Sequence, residues 1–386
     1  MKKRVLILVG IPNFDYTNEN SAVLLFLRTI KKAFQEAGHV AEFPFESEKS
    51  VKIDQGKVST AAQSKIKSLL KNWNWLYHSL AYRNYSKNQE CLLNQLKQEK
   101  PYDLVVEFHT VGSTIGKELA EEWKCPFSVI FDSPIDEQYV EMHGSKTFYW
   151  NAIKASEKTT LEATDKIMVY SPACEDYIRD KYKIIGVVGV LPCIVEKPFT
   201  ENEPDDSCFR ILFIGSFLKW HKVDLLVRVF SEFLKINPSA KLQLIGFGQE
   251  WEKVKALVDQ LNITNAVEMP GFVSDEDLLG YKRGASIAVM PGSNWYGSPL
   301  KLFEYAQSGI PFIAPESKTV RSIFNKDEHC LYIDSENQEV SLFRAMTFLA
   351  GNNGKARLMA KRSKDFYRTN FESELYKNEI IKNLNV

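Results

Sequence analysis

The chain has 386 residues, more than one ordinary core accommodates, so two domains are expected. Apolar residues make up 44% and charged residues 25%, a balance that excludes a largely disordered chain. With 49 basic and 49 acidic residues the formal charge is zero, which gives no electrostatic argument for a nucleic-acid partner.

The opening "MKKRVLILVG" has an apolar stretch of only Val5 to Val9 before Gly10, Pro12 and Asn13 interrupt it, which reads as a buried first strand rather than a signal peptide. No run approaches the roughly 20 apolar residues that span a bilayer. The six cysteines are scattered with no C-x-x-C pair, so neither a disulfide scaffold nor a zinc site is expected and a reducing cytosol fits.

Strands are predicted at Arg4–Ile11, Val40–Phe45, Asp103–His109, Phe127–Phe131, Lys166–Tyr170 and Ile184–Leu191, with helices between them, most clearly Ser21–Ala37 and Ile115–Trp123. This alternation gives a parallel sheet with right-handed crossovers. Residues 57–87 stand apart: six basic residues (Lys57, Lys65, Lys67, Lys71, Arg83 and Lys87), no acidic one, and interleaved Trp73, Trp75, Tyr77, Tyr82 and Tyr85. They read either as a long solvated helix with an aromatic core face or as a surface resting on anionic lipid headgroups.

The acidic, proline-containing stretch "EKPFTENEPDDSC" at 196–208 has little to bury and reads as a linker. Alternation then restarts, with strands at Phe209–Ile214, Lys241–Ile245, Ser286–Met290, Ile310–Ala314 and Cys330–Ile333, and a helix from Val223 carrying Leu226, Val229, Phe230 and Phe233 on one face. The expected organisation is α/β: two doubly wound, Rossmann-like domains (1–196 and 209–365) facing a cleft, a linker at 197–208, and a C-terminal helix at 366–386 that packs back on the first domain. Sheets of this kind bind ligands at the carboxyl ends of their strands.

The most informative segment is "GSPLKLFEYAQSGIPFIAP", residues 297–315. Ser298 suits an N-cap, Pro299 the first helical position and Gly309 a C-terminal stop. Lys301 then falls in the first turn, where the dipole disfavours a cation but where amides and an ammonium together suit phosphate. Glu304 lies one turn on, with acceptors for two neighbouring hydroxyls such as those of a ribose. The plainer reading is a Lys301–Glu304 surface salt bridge worth about 0.3 kcal/mol.

Two further loops favour the phosphate. "LFIGSFLKWHKVDLL" leaves a strand through Gly215 and Ser216 and enters a helix past Lys219, His221 and Lys222. "LIGFGQEW" supplies Gly246 and Gly248 after another strand, although Trp251 occupies the third glycine position of a dinucleotide fingerprint.

With "FIGSFLKWHKVDLLVRVF", "LQLIGFGQE", "VEMPGFVSDEDLLGYKRGASIAVMPG" and "YGSPLKLFEYAQSGIPFIAP" in order, the second half resembles the donor domain of the GT-B glycosyltransferases, specifically glycosyltransferase family 4. The first half resembles the same family more loosely, through "EFHTVGSTIGKELAEEWKCPFSVIFDSP" and "ATDKIMVYSPACEDYI". The resemblance implies a retaining, metal-independent transfer of a sugar from a UDP- or GDP-linked donor to a glycan, lipid-linked or small-molecule hydroxyl, with no cofactor, no metal and no nucleic acid. It also implies envelope polysaccharide or glycolipid synthesis on the cytoplasmic side; peripheral contact with an anionic membrane is expected separately, from the basic, aromatic composition of 57–87.

Position by position, the resemblance makes Glu304 the ribose carboxylate and Ser298, Pro299, Leu300 and Lys301 the diphosphate and sugar loop. Gly246 and Gly248 become the nucleotide turn, and Phe272 and Val273 the segment near the base. Gly215, Ser216, Lys219, His221 and Lys222 complete the donor site; Lys222, Lys301 and His109 are the catalytic candidates; Gly10, Asn13 and Asp132 lie on the acceptor side. Three departures stand out: Tyr296 replaces the first glutamate of the family pair, Ser216 and His221 replace its basic pair, and its first glycine-rich loop is reduced to Gly10. A sugar-nucleotide epimerase and a non-catalytic nucleotide-sugar-binding protein remain as rivals.

Overall fold

The computed structural model describes residues 2–18, 21–46, 74–194, 199–204 and 208–385. The chain divides into two compact units, Met1–Pro192 with Lys377–Val386, and Cys193–Tyr376.

The first unit holds β1 (Arg4–Val9), α1 (Ala22–Glu36), β2 (Val40–Glu42), α2 (Asn74–Leu96), β3 (Leu104–Phe108), α3 (Ile115–Trp123), β4 (Phe127–Phe131), α4 (Ile135–His143), α5 (Trp150–Glu162), β5 (Lys166–Val169), α6 (Pro172–Tyr182) and β6 (Val187–Val190). Its six strands are all parallel, in the order β2-β1-β3-β4-β5-β6. Helices cover the strands on both sides, so β3 and β4 are buried along their whole length and carry near-continuous apolar runs. Ser21 caps α1 by accepting the Leu24 amide, as its sequence position suggests.

The second unit holds β7 (Arg210–Ile214), α7 (Val223–Ile236), β8 (Lys241–Ile245), α8 (Trp251–Gln260), β9 (Val267–Gly271), α9 (Asp275–Gly284), β10 (Ile287–Val289), α10 (Leu300–Ser308), β11 (Phe312–Pro315), α11 (Lys318–Arg321), β12 (Leu331–Ile333), α12 (Gln338–Gly351) and α13 (Asn353–Phe371). Its order is β12-β11-β10-β7-β8-β9, again all parallel. The core joins Leu226, Val229, Phe230 and Phe233 of α7 to Phe213, Leu244 and Val289 of the sheet. The strand β9, "VEMPG", carries no apolar run, has no fully buried residue and contains Pro270, which is why its sequence does not announce a strand.

The two order reversals fall between β1 and β3 and between β7 and β10. A crevice opens outside the carboxyl ends of the strands at such switch points.

Three boundaries differ from expectation. The first unit ends at Pro192, and the described part of the expected linker is no bare connector: the Asn202 side-chain amide donates to the carbonyls of Lys282, Arg283 and Ala285, and the Asn202 amide N–H donates to Ser308. Acidic, proline-bearing sequence is here used to satisfy the last carbonyls of α9. The expected helix at 366–386 is the end of α13 followed by α14 (Ser373–Leu384), separated at Glu372, whose ψ of 145 is extended. The end of α14 belongs to the first unit, where Ser128 Oγ donates to the Leu384 carbonyl and Lys377 pairs with Glu36 at 2.8 Å. Lys57, Lys65, Lys67, Lys71 and Trp73 lie outside the described residues; of the rest of that segment, Tyr82 is buried in α2 while Trp75, Arg83 and Lys87 are exposed.

Candidate functional site

In the second unit the strand ends are pressed together by glycines. Gly246 has φ +124, and a Cβ there would lie 2.0 Å from the Gly215 carbonyl oxygen. Gly215 itself has φ +151, and its Cβ would meet Lys301 Cε at 1.9 Å. The Lys301 side chain therefore lies flat across the Gly215 backbone, which no other residue at 215 would allow. Gly248 packs on the Phe217 backbone, with a Cβ there 2.6 Å from its amide nitrogen. Lys301, Gly215 and Gly246, from three separate sequence segments, form one cluster at the switch point.

His221 completes it. Its Nδ1 lies 2.5 Å from the Ser216 carbonyl, which only accepts, so Nδ1 carries the proton. Nε2 is then a lone pair, and it accepts from Lys301 Nζ at 3.3 Å. Burial, reinforced by the Lys301 charge, pushes the His221 imidazole down to about 3, so the ring is neutral at pH 7. A neutral imidazole orients the ammonium without cancelling its charge.

Below the cluster, Tyr305 of α10 accepts the Ile214 amide at 3.2 Å and ties the helix to the end of β7. Glu304 is held by Lys282 of α9, with Nζ to Oε2 at 2.8 Å; Lys282 is 2% exposed. Sequence reasoning missed Lys282 because the "YKRG" in which it sits looks like an ordinary solvated helix end.

The helix start is corrected. α10 begins at Leu300, its N-cap is Pro299, and Ser298 caps nothing. The Ser298 hydroxyl instead donates to the Cys193 carbonyl, fixing the loop after β10. The amides of Leu300 and Leu302 are already taken by the Ser298 and Pro299 carbonyls, so the expected row of outward amides is shorter than the sequence suggested.

The other donor-side candidates are more dispersed. Lys219 and Lys222 line a cavity of about 600 Å³ with Arg228, Lys253, Gln338 and Glu339, and Lys222 Nζ donates to Gln338 Oε1 at 3.0 Å. Phe272 is 82% exposed, with its ring centroid 6.3 Å from that of Phe247, which stands between Gly246 and Gly248. Val273 falls elsewhere, in a shallow hollow with Glu268, Glu276 and Tyr281 on a charged flank. Tyr296 is 2% exposed and edge-on to Trp295, so that position is given to packing.

In the first unit, a cavity of about 480 Å³ opens at the carboxyl ends of β1, β3 and β4, lined among others by Ile11, Tyr82, Tyr85, His109, Asp132 and Tyr139. His109 is 2% exposed, and neither ring nitrogen has a hydrogen-bond partner. Its Nε2 faces Glu157 Oε2 at 3.6 Å, too long for a hydrogen bond. Glu157, which the sequence did not single out, is 1% exposed; it accepts the Ile135 amide at 3.0 Å and the Tyr182 hydroxyl. Burial lifts the Asp132 carboxyl to about 6, against the lowering effect of the Ser133 hydroxyl and of His109. Gly10 is a packing glycine, since a Cβ there would strike Ser113 Oγ at 2.2 Å. Asn13 is exposed and is not part of the cavity wall.

Among the described residues, no group of three or more His, Cys, Asp or Glu side chains is arranged to hold a metal, and no helix is long and apolar enough to cross a membrane.

Residues 195–366, under half of the chain, match the family model described as glycosyl transferases group 1. An uncharacterized glycosyltransferase of Haemophilus influenzae is 23% identical over 283 residues, covering 68% of this chain and 78% of that one. Among solved structures, sucrose-phosphate synthase from Thermosynechococcus elongatus superposes with a TM-score of 0.69 at 18% identity, over 98% of both chains. Anabaena HepE in complex with UDP-glucose gives a TM-score of 0.69 at 11% identity, also over 98% of both chains. The chain thus has the α/β architecture of the GT-B glycosyltransferases, two six-stranded parallel sheets with their helices, and its second unit carries the glycosyl transferases group 1 pattern.

Proposed function

We propose that the protein is a glycosyltransferase that moves a sugar from a nucleoside-diphosphate donor to a hydroxyl acceptor. The observation that carries this reading is the Lys301 ammonium, laid over Gly215 beside Gly246 and held by a neutral His221 at the switch point of the second sheet. Negative charge develops on the leaving diphosphate as the glycosidic bond breaks. A prepositioned cation at that point stabilises the transition state more than the ground state.

In this reading Glu304, fixed by Lys282, accepts the ribose hydroxyls, and Phe247 and Phe272 offer ring faces to the base. UDP is favoured as the nucleotide by analogy with the UDP-glucose complex of HepE. The donor charge is met by Lys301, with Lys219 and Lys222 of the adjoining loop, and not by a metal. Retention of anomeric configuration and a role in envelope glycan or glycolipid assembly complete the proposal by family analogy, and peripheral membrane contact rests on the basic, aromatic composition of the 57–87 segment. In the first unit, His109 meets the reacting sugar or the acceptor hydroxyl, since a buried imidazole with no partner costs about 1–3 kcal/mol until one arrives.

The test is titration of the protein with UDP and GDP and their glucose derivatives, followed by turnover assays with and without a cell-envelope lipid extract. Glu304→Gln is expected to weaken nucleotide binding sharply, and Lys301→Ala to lower kcat by about 100- to 1000-fold. An unchanged dissociation constant in Glu304→Gln refutes the ribose assignment; acceptor-free interconversion of the donor sugar replaces transfer with epimerisation.

A further inference from the structure

The cavity of the first unit offers more than a hydroxyl site. Tyr85 turns its hydroxyl away to donate to the Gly10 carbonyl at 3.3 Å, and the Tyr82 hydroxyl lies beside Gly112, where a Cβ would come within 2.2 Å of it. Burial and the neighbouring His78 hold the His143 imidazole below its usual range, and the two imidazole centroids are 4.6 Å apart. The surface lining the cavity is mostly carbon, with Ile11, Val23, Ile135 and Met142 beside the aromatic rings, and its polar groups include His109, Thr110, Asp132 and Gln138. At about 480 Å³ it lies within the size range of small-molecule sites.

The wall continues outward as apolar surface. Met142 lines the cavity and is 53% exposed. Leu80, one residue before the lining Ala81, is 45% exposed, and Phe148, whose amide donates to Ser79 Oγ, is 78% exposed. Single exposed apolar residues need no explanation, but a cluster bordering an apolar cavity does.

We propose that this cavity binds the apolar body of an amphiphilic acceptor, with the acceptor's hydroxyl at His109 and Asp132. An unsubstituted glycan fits poorly. It carries hydroxyls on every edge, and each one pressed unpaired against carbon costs about 1–3 kcal/mol. An alcohol with one polar end and an apolar body satisfies His109, covers the ring faces and extends over Leu80, Met142 and Phe148. The role as acceptor rests on the sugar-transfer reading; the binding preference does not.

The test is isothermal titration of the full chain with n-octyl β-D-glucoside, kept below its micellar threshold, against glucose and maltose. UDP is titrated in parallel. Octyl glucoside is expected to bind at least tenfold more tightly than either sugar. Ala81→Arg and Met142→Arg change exposed helix positions at the cavity wall, so both are expected to fold, to melt with the wild type and to bind UDP normally. Each should weaken octyl glucoside at least tenfold. Equal binding of maltose, or wild-type octyl glucoside affinity in both folded variants, overturns the inference. Protein that binds UDP but shows no preference for octyl glucoside loses this inference alone. Protein that binds octyl glucoside but no nucleotide keeps the cavity assignment and loses the transfer reading.

Discussion

Lys282→Met provides the sharpest test of the donor site, because it separates what Lys282 does for stability from what it does for Glu304. The two charges lie 2.8 Å apart, with side chains 2% and 13% exposed. At an effective dielectric near 20, their attraction is about 6 kcal/mol. Desolvation of two ions costs several kcal/mol each, so the pair is close to neutral for net stability. Removing one member changes that balance, because Glu304 then remains largely buried with its attraction to Lys282 gone and its desolvation cost kept. The expected loss is about 4 kcal/mol. With a urea m-value near 3 kcal/mol per M, the unfolding midpoint should fall by about 1.3 M. The double variant Lys282→Met, Glu304→Gln removes both charges and should recover most of that loss. Nucleotide affinity, by contrast, should be lost in both variants, since neither presents an oriented carboxylate. The assays are urea unfolding followed by tryptophan fluorescence and calorimetric titration with UDP. A single variant less than 1 kcal/mol below the wild type, or a double variant no more stable than the single, refutes the description of Lys282 as the buried counter-ion of Glu304.

Acid should destabilise the protein through His221. Its folded pKa is near 3 against about 6.5 unfolded, so between those values the unfolded chain binds more protons and stability falls as pH falls. The loss begins below pH 6.5 and is complete near pH 3; His221→Gln should flatten the slope of melting temperature between pH 6.5 and 4, and an unaltered slope counts against a buried neutral imidazole. Gly246→Ala places a Cβ against the Gly215 carbonyl at a positive φ and should lower both melting temperature and UDP affinity. Gly280→Ala, in the exposed middle of α9 with nothing within 4 Å of its Cβ, should raise stability by about 0.5–1 kcal/mol without touching UDP binding. Should the two glycine variants behave alike in calorimetry, close backbone approach at Gly246 is not what the site requires.

The two sheets were legible because parallel strands buried on both faces leave apolar runs, as β1, β3, β4, β10 and β11 do. β9 was not, because "VEMPG" lies at the sheet edge, half exposed, with a proline in it. At the site, Gly215, Gly246, His221, Lys301 and Glu304 were readable from loop chemistry at strand ends. What escaped were contacts that depend on tertiary approach: Lys282 reaching Glu304 from another helix, Glu157 reaching beneath His109, and Ser298 turning from its own helix to the Cys193 carbonyl. Spacing along the chain reports which residues share a helix face, but it is silent on which helix faces which.

Tyr296 shows how such a tertiary choice reshapes the chemistry. By resemblance its position belongs to a carboxylate, and here a buried ring takes it, edge-on to Trp295. The loop that carries it is pinned three times: Gly297 N–H donates to Asn294 Oδ1, Ser298 Oγ to Cys193, and Thr319 Oγ1 to the Trp295 carbonyl. A loop anchored through core packing and backbone carbonyls holds the start of α10 in place without adding negative charge. Tyr296→Glu therefore should not restore a family contact. It buries a carboxylate where a ring now packs and is expected to destabilise the second unit. Stronger UDP binding by a folded Tyr296→Glu protein would show that the position had kept its polar function after all.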